Sequence, residues 1–119
     1  MTRLTVTLCG SLTRAATDLA RVHRALALAG HLVHAPCPPL PGEAAITGEQ
    51  LDRLTERHYE AIRQSDLVIA VIPDGRPGNA THYEMRYAKH FGKAVRWVTD
   101  VDALVGDVAA WLDGAEVPA

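Results

Sequence analysis

Basic residues, aromatics, cysteines and long apolar runs are all scarce in this chain, and each shortage closes off a class of function. Lysine and arginine total 12 against 14 aspartates and glutamates, a formal net charge of −2 with both signs interspersed. That leaves no basic footprint for nucleic acid and no polybasic patch for a membrane surface. No apolar run approaches the ~18 residues that span a bilayer. The opening residues lack the basic-then-apolar pattern of a secretory leader, so a soluble, cytoplasmic protein is expected. The two cysteines, Cys9 and Cys37, have no Cys-x-x-Cys spacing and give neither a redox nor a zinc motif. Both are expected near strand ends as buried free thiols. The histidines (His23, His31, His34, His58, His82 and His90) match no ligand spacing, and no metal is expected. Aromatics make up 5%, so the core must be built from the Ala, Val, Leu and Ile of a 48% apolar chain. A length of 119 residues is that of one domain, 1–119.

What is present alternates in period. "LTVTLC" (4–9) reads as a strand, and 14–29 carries Leu19, Val22 and Leu26 at helical spacing before Gly30. "HLVHAP" reads as a short strand, followed by the Pro- and Gly-rich loop "CPPLPGEAAI". Thr47 and Gln50 have capping-box spacing and open a helix to about Gln64, with Leu51, Leu54, Ala61 and Ile62 along one stripe. "DLVIAVI" is a continuous apolar run, as in a strand buried on both faces of a parallel sheet. A helix from about Ala80 to Phe91 stops at Gly92, "AVRWV" is a fourth strand, and "DVDALVGDVAAWLD" is a last helix before a frayed "GAEVPA" tail. Strands alternating with helices predict an α/β fold of the flavodoxin or Rossmann type. It is a doubly wound parallel sheet of four to five strands with helices on both faces. Ligands in such folds bind beyond the carboxyl ends of the strands, at the switch point of strand order.

The loops at that edge carry the candidate residues. In "CGSLTR", Gly10 lets the backbone approach a ligand, Ser11, Thr13 and the helix-start N–H groups could hold a phosphate, and Arg14 could add charge. A plain strand-to-helix turn with Ser or Thr as cap accounts for these residues without any ligand, and a single Gly-Ser is weak evidence for phosphate. Thr81 and Glu84 again have capping-box spacing, a complete structural explanation for Glu84. Yet an acid in the first turn of a helix lies at the positive end of the helix dipole. A carboxylate kept ionised there suits attack on, or stabilisation of, a sugar oxocarbenium centre. Asp74 in "PDGRPG" is a turn residue or a ligand contact, and Asp66 is a turn or cap residue. His58 lies in register with Leu51, Leu54 and Ile62, either as a buried histidine or as a proton carrier. Tyr59, Tyr83 and Tyr87 are candidates for helix packing, while His82 and Tyr83 adjoin Glu84 and could line a pocket for a planar base.

"TLCGS", "AGHLVHAP", "IRQSDLVIAVI" and "NATHYEMRYAKHFGKAV", in that order and spacing, resemble the nucleoside 2-deoxyribosyltransferase-like superfamily, which includes deoxynucleoside 5′-monophosphate N-glycosidases. The resemblance covers roughly residues 4–98. It implies cleavage or exchange of an N-glycosidic bond, with Glu84 as the nucleophile that attacks C1′ and forms a glycosyl-enzyme. Gly10 and Ser11 match the loop that holds sugar or 5′-phosphate in the monophosphate hydrolases, and the substrate-binding residues expected with them are Cys9, Arg14, Asp74, Gly78, Thr81 and His82. The partner implied is a small nucleoside or nucleotide, with no nucleic acid, no membrane and no cofactor. Members are commonly homodimers or larger homo-oligomers with the site near a subunit interface. Two departures stand out. The family's Asp, eight residues upstream of the Asp of "SD", is replaced by His58, and the Gly before the family's Thr is Ala80. An imidazole can supply a proton near neutral pH, so the acid role survives chemically.

Two functions follow from different classes. One is an enzyme acting on an N-glycosidic bond, of a nucleoside, a 5′-monophosphate or a dinucleotide of the NAD type. The other is a non-catalytic nucleotide-binding sensor or regulatory module, suggested by the missing Asp.

Overall fold

The computed structural model describes residues 2–114. Its elements are β1 (Thr5–Cys9), α1 (Ala16–Leu28), β2 (Leu32–His34), α2 (Gly48–Gln64), β3 (Leu67–Val71), α3 (Asn79–His90), β4 (Ala94–Val98), α4 (Val101–Gly106) and α5 (Val108–Asp113). The strands form one four-stranded, all-parallel sheet in the order β2-β1-β3-β4. The chain steps outward from β1 to β2, then returns past β1 to β3, so the switch point lies between β1 and β3. The expected α/β fold is present, with four strands.

Strand alternation sorts the core into two layers. Val6 and Leu8 of β1 and Ile69 and Val71 of β3 pack with Leu19, Val22 and Leu26 of α1 and Leu104 of α4. Cys9, Val68 and Ala70 face the other way, onto Ile62 of α2 and Met85 and Ala88 of α3. Gly30 and Gly92 close α1 and α3 with positive φ (96° and 71°), a conformation in which glycine has no Cβ penalty.

Three expectations need correction. Leu51 and Leu54 continue the stripe of α2 but are 54% and 39% exposed, and every residue from 37 to 57 is exposed. Only the second half of α2, from His58 onward, lies on the sheet; the capped first half extends past it. The last helix is two helices, because Asp107 leaves helical geometry (φ −154°, ψ 90°) and its side chain accepts from Ala110 N–H to start α5 afresh. Cys9 is buried as a free thiol, but Cys37 is exposed, since β2 ends at His34 and the following prolines carry Cys37 off the sheet. The tail 115–119 lies outside the described residues.

Candidate active site

Three elements deliver one side chain each to the carboxyl end of the β1–β3 pair. Cys9 is the last residue of β1, opposite Ala70 of β3, and alternation turns its side chain toward α2 and α3. On α2, His58 lies one turn before the buried Ile62 and is itself buried. On α3, Thr81, Met85 and Ala88 form the buried face, and Glu84 stands at its margin with 17% of its side chain exposed. Cys9 Sγ lies 3.6 Å from His58 Nε2, and that nitrogen lies 3.4 Å from Glu84 Oε2.

The structure separates Glu84 from any capping role. The N-cap of α3 is Gly78, with no side-chain cap, and Thr81 is buried within the first turn. The sequence Pro77-Gly78 lets the helix begin at Asn79, two residues before Thr81, so Glu84 falls in the second turn. The dipole effect falls off within the first turn, so it gives Glu84 little support.

Electrostatics assigns the trio unequal chemistry. Burial, then the charge of Glu84 and its hydrogen bond, push the Cys9 thiol well above its ordinary value. The shift favours the thiol over the nucleophilic thiolate. Burial, followed by the charges of Glu84 and Cys9, also raises the Tyr59 phenol. His34, at the end of β2, brings its ring to 5.4 Å from that of His58. Burial first, and then neighbouring His58, lower its pKa. Sequence reading left His34 unassigned and gave Tyr59 to packing; the signal available for His34 was its position at a strand end on the ligand-binding edge.

Ser11, Arg14, Asp74, Gly78 and Thr81 meet around a notch of about 10 Å³, next to the trio in sequence on both sides. The turn reading accounts for most of its polar groups. Thr13 and Arg14 N–H groups donate to Ser11 Oγ at 3.3 and 3.1 Å, and Ala15 N–H donates to the Ser11 carbonyl at 2.8 Å. Arg14 donates to Asp74 at 3.1 Å and to the Arg76 carbonyl at 3.2 Å. Gly10 serves packing: a Cβ there would meet the Val71 carbonyl at 3.0 Å and Leu19 at 3.1 Å. His82 and Tyr83 are exposed, Tyr83 at 65%, and neither borders that notch. Asp66, expected as a turn or cap residue, instead ties β3 to β1: its carboxylate accepts from Thr5 N–H at 2.9 Å. A wider depression of about 340 Å³ opens between β2 and α2, bordered by His34, Arg57 and Glu60.

No protein-family model and no curated protein matches the chain. Among solved structures, a 2-deoxyribosyltransferase from the psychrotolerant bacterium Bacillus psychrosaccharolyticus superposes with a TM-score of 0.66 at 20% identity. The match covers 77% of this chain and 69% of that one. The chain has the fold of a 2-deoxyribosyltransferase. In the 2-deoxyribosyltransferase fold, as in other doubly wound sheets, the switch point is the favoured ligand edge, and here it carries Cys9, His58 and Glu84. No helix among the described residues is long and apolar enough to cross a membrane.

Proposed function

We propose that this chain belongs to the 2-deoxyribosyltransferase-like enzymes and cleaves or transfers the N-glycosidic bond of a nucleoside or nucleoside 5′-monophosphate. The observation that carries the reading is Glu84 beside His58, 3.4 Å apart, at the switch point of a 2-deoxyribosyltransferase fold. Glu84 forms a bond to C1′ as the C1′–N bond breaks, and that electron pair leaves on the base. His58 gives the departing base its proton, the part taken by Asp in the family that the sequence resembles. Water or a second base then attacks C1′ and frees Glu84, with His58 recovering a proton from the incoming group.

Ser11, Arg14 and Thr81 are suited to sugar hydroxyls or a 5′-phosphate, with Arg14 exchanging Asp74 for the phosphate. Cys9 and Gly10 carry the backbone into that end of the site, and Gly78 opens the helix beside it. A notch of about 10 Å³ admits roughly one water, whereas ligand pockets run to about 300–1,000 Å³. The base therefore needs a further wall. The exposed stretch 37–57, with Leu40, Ile46, Leu51 and Leu54 exposed on it, supports a second copy of the chain as its source.

The test is chromatographic. Wild type and Glu84→Gln are incubated with nucleosides, 5′-monophosphates and NAD, with and without an acceptor base. Base release is expected from wild type and should fall by at least about a thousandfold in the variant. Ligand-dependent stabilisation of wild type with no base release would replace the enzyme with a nucleotide-binding module.

A further inference from the structure

The glycosyl-transfer reading uses two of the three side chains that converge at the switch point and leaves Cys9 without a task. All three donor atoms, Cys9 Sγ, His58 Nε2 and a Glu84 carboxylate oxygen, lie within 4.8 Å of one another. A tetrahedral zinc ion holds sulfur at about 2.3 Å and nitrogen or oxygen at about 2.0–2.2 Å. Those lengths set ligand-to-ligand edges of about 3.5 Å for S···N and about 3.4 Å for N···O. The observed separations are 3.6 Å and 3.4 Å.

Among the described residues, the three groups find polar partners only in one another, Cys9 hydrogen-bonding with Glu84 as well as with His58. Both the thiol and the carboxylate address the same nitrogen, Nε2, which carries at most one proton. With the thiol donating to Glu84, Nε2–H donates there too; with the thiol donating to Nε2, that nitrogen has no proton for the carboxylate. A cation among the three takes one lone pair from each of them. Charge fits as well: a thiolate and a carboxylate neutralise a divalent ion, and a neutral cluster is what a buried position tolerates. Cys9 is fully buried, while His58 and Glu84 keep 10% and 17% of their side chains exposed. That exposure at His58 and Glu84 is where an ion would enter and water would serve as fourth ligand.

We propose that Cys9, His58 and Glu84 form a binding site for a zinc-class divalent ion. On binding, the Sγ–H bond breaks, its electron pair goes to the metal and its proton to the buffer, with no change of oxidation state. A clause of the proposal rests on the glycosyl-transfer reading: the ion occupies the Glu84 oxygen that would attack C1′, so metal and sugar compete, and zinc holds the enzyme off.

The Cys37→Ser protein, whose one remaining thiol is Cys9, is the starting material, reduced and stripped of metal. Titration with Co²⁺ is expected to show one equivalent bound, an intense near-ultraviolet thiolate-to-metal band and visible bands of tetrahedral strength. Zn²⁺ should displace the Co²⁺. His58→Gln and Glu84→Gln, each checked for fold by circular dichroism, should each weaken binding by at least about tenfold. No stoichiometric binding, binding without the sulfur band, or binding that both variants leave intact would overturn the site. In a base-release assay, one equivalent of Zn²⁺ should inhibit and a chelator should restore turnover. Turnover unaffected by bound Zn²⁺ overturns the competition at Glu84. Metal binding as described with no base release from any substrate overturns the glycosyl-transfer reading and leaves the metal site standing.

Discussion

A thiol reacts as its thiolate, and burial beside Glu84 withholds the thiolate from Cys9 while Cys37 lies exposed. In metal-free native protein, a disulfide-exchange reagent at about pH 8 should therefore titrate one thiol quickly and the second only on unfolding. Cys37→Ser should abolish the fast phase; a fast phase that survives it would refute the assignment. His34 makes a second prediction. Burial and the nearby His58 ring lower its pKa from 6.5, so the folded chain takes up this proton later than the unfolded chain does. The unfolded state then binds more protons in the window just below 6.5, and stability falls as pH drops through it toward the folded midpoint. Above 6.5 this contribution is flat. The His34 ring resonances should titrate below 6.5 by NMR, and His34→Gln should lose less melting temperature than wild type between pH 7.5 and pH 5.5, by thermal denaturation. Residue by residue, the sequence marks Glu84 as a cap or a candidate nucleophile and His58 as a histidine on an apolar stripe. It does not show that Cys9 completes a cluster with them. Their numbers share no spacing motif, because each comes from a different element and only the sheet and two packed helices bring them together.

Elements were legible where period and caps agree. The Thr47–Gln50 capping box forms as its spacing implies, with Thr47 N–H donating to Gln50 at 2.9 Å and Gln50 N–H to Thr47 at 3.1 Å. The same spacing at Thr81–Glu84 misled, since a spacing cannot tell a cap from a helix that has already begun. The 101–113 segment misled likewise: helical period runs through Gly106-Asp107, but the Asp107 side chain competes for the next backbone N–H and restarts the helix. The C-terminal pair of helices is then held by Arg96 of β4. Its guanidinium lies 3.6 Å from the Trp111 ring centroid and donates to the Trp111 and Leu112 carbonyls at 2.7 and 3.3 Å. Arg96 is buried, so replacing it with Met of similar reach removes charge-assisted bonds and leaves two carbonyls to find other partners. Arg96→Met should cost about 2 kcal/mol in urea unfolding and expose the amides of α5 to hydrogen exchange first. Equal protection of α5 in the two proteins would count against Arg96 as its anchor.

At the scale of the molecule, the sheet and its two helix layers bury their apolar faces, but one apolar stripe goes uncovered. Leu51 and Leu54 lie on the outer half of α2, with Leu40 and Ile46 on the loop before it, and none of the four is buried. Periodicity marks a stripe as apolar without saying which stretch of it finds a partner inside the same chain, which is why the sequence implied a uniformly packed α2. A cap and a run of good helix formers keep that half of the helix formed at some cost in exposed leucine. The bill is settled if the stripe meets a second copy, and the same contact supplies the wall that the small notch lacks. A stable interface buries about 800 Å² per partner, within reach of a 21-residue exposed stretch, 37–57. Light scattering at micromolar concentration should therefore report a dimer or larger assembly. Leu51→Glu with Leu54→Glu should shift it to monomer with the fold kept, because two already exposed side chains contribute within about 0.5 kcal/mol each to the monomer's stability. If the stripe also completes the substrate wall, the monomeric variant should lose base release chiefly through a raised KM, with Glu84 and His58 untouched. A wild type that is monomeric at these concentrations would remove both the interface and its contribution to the site.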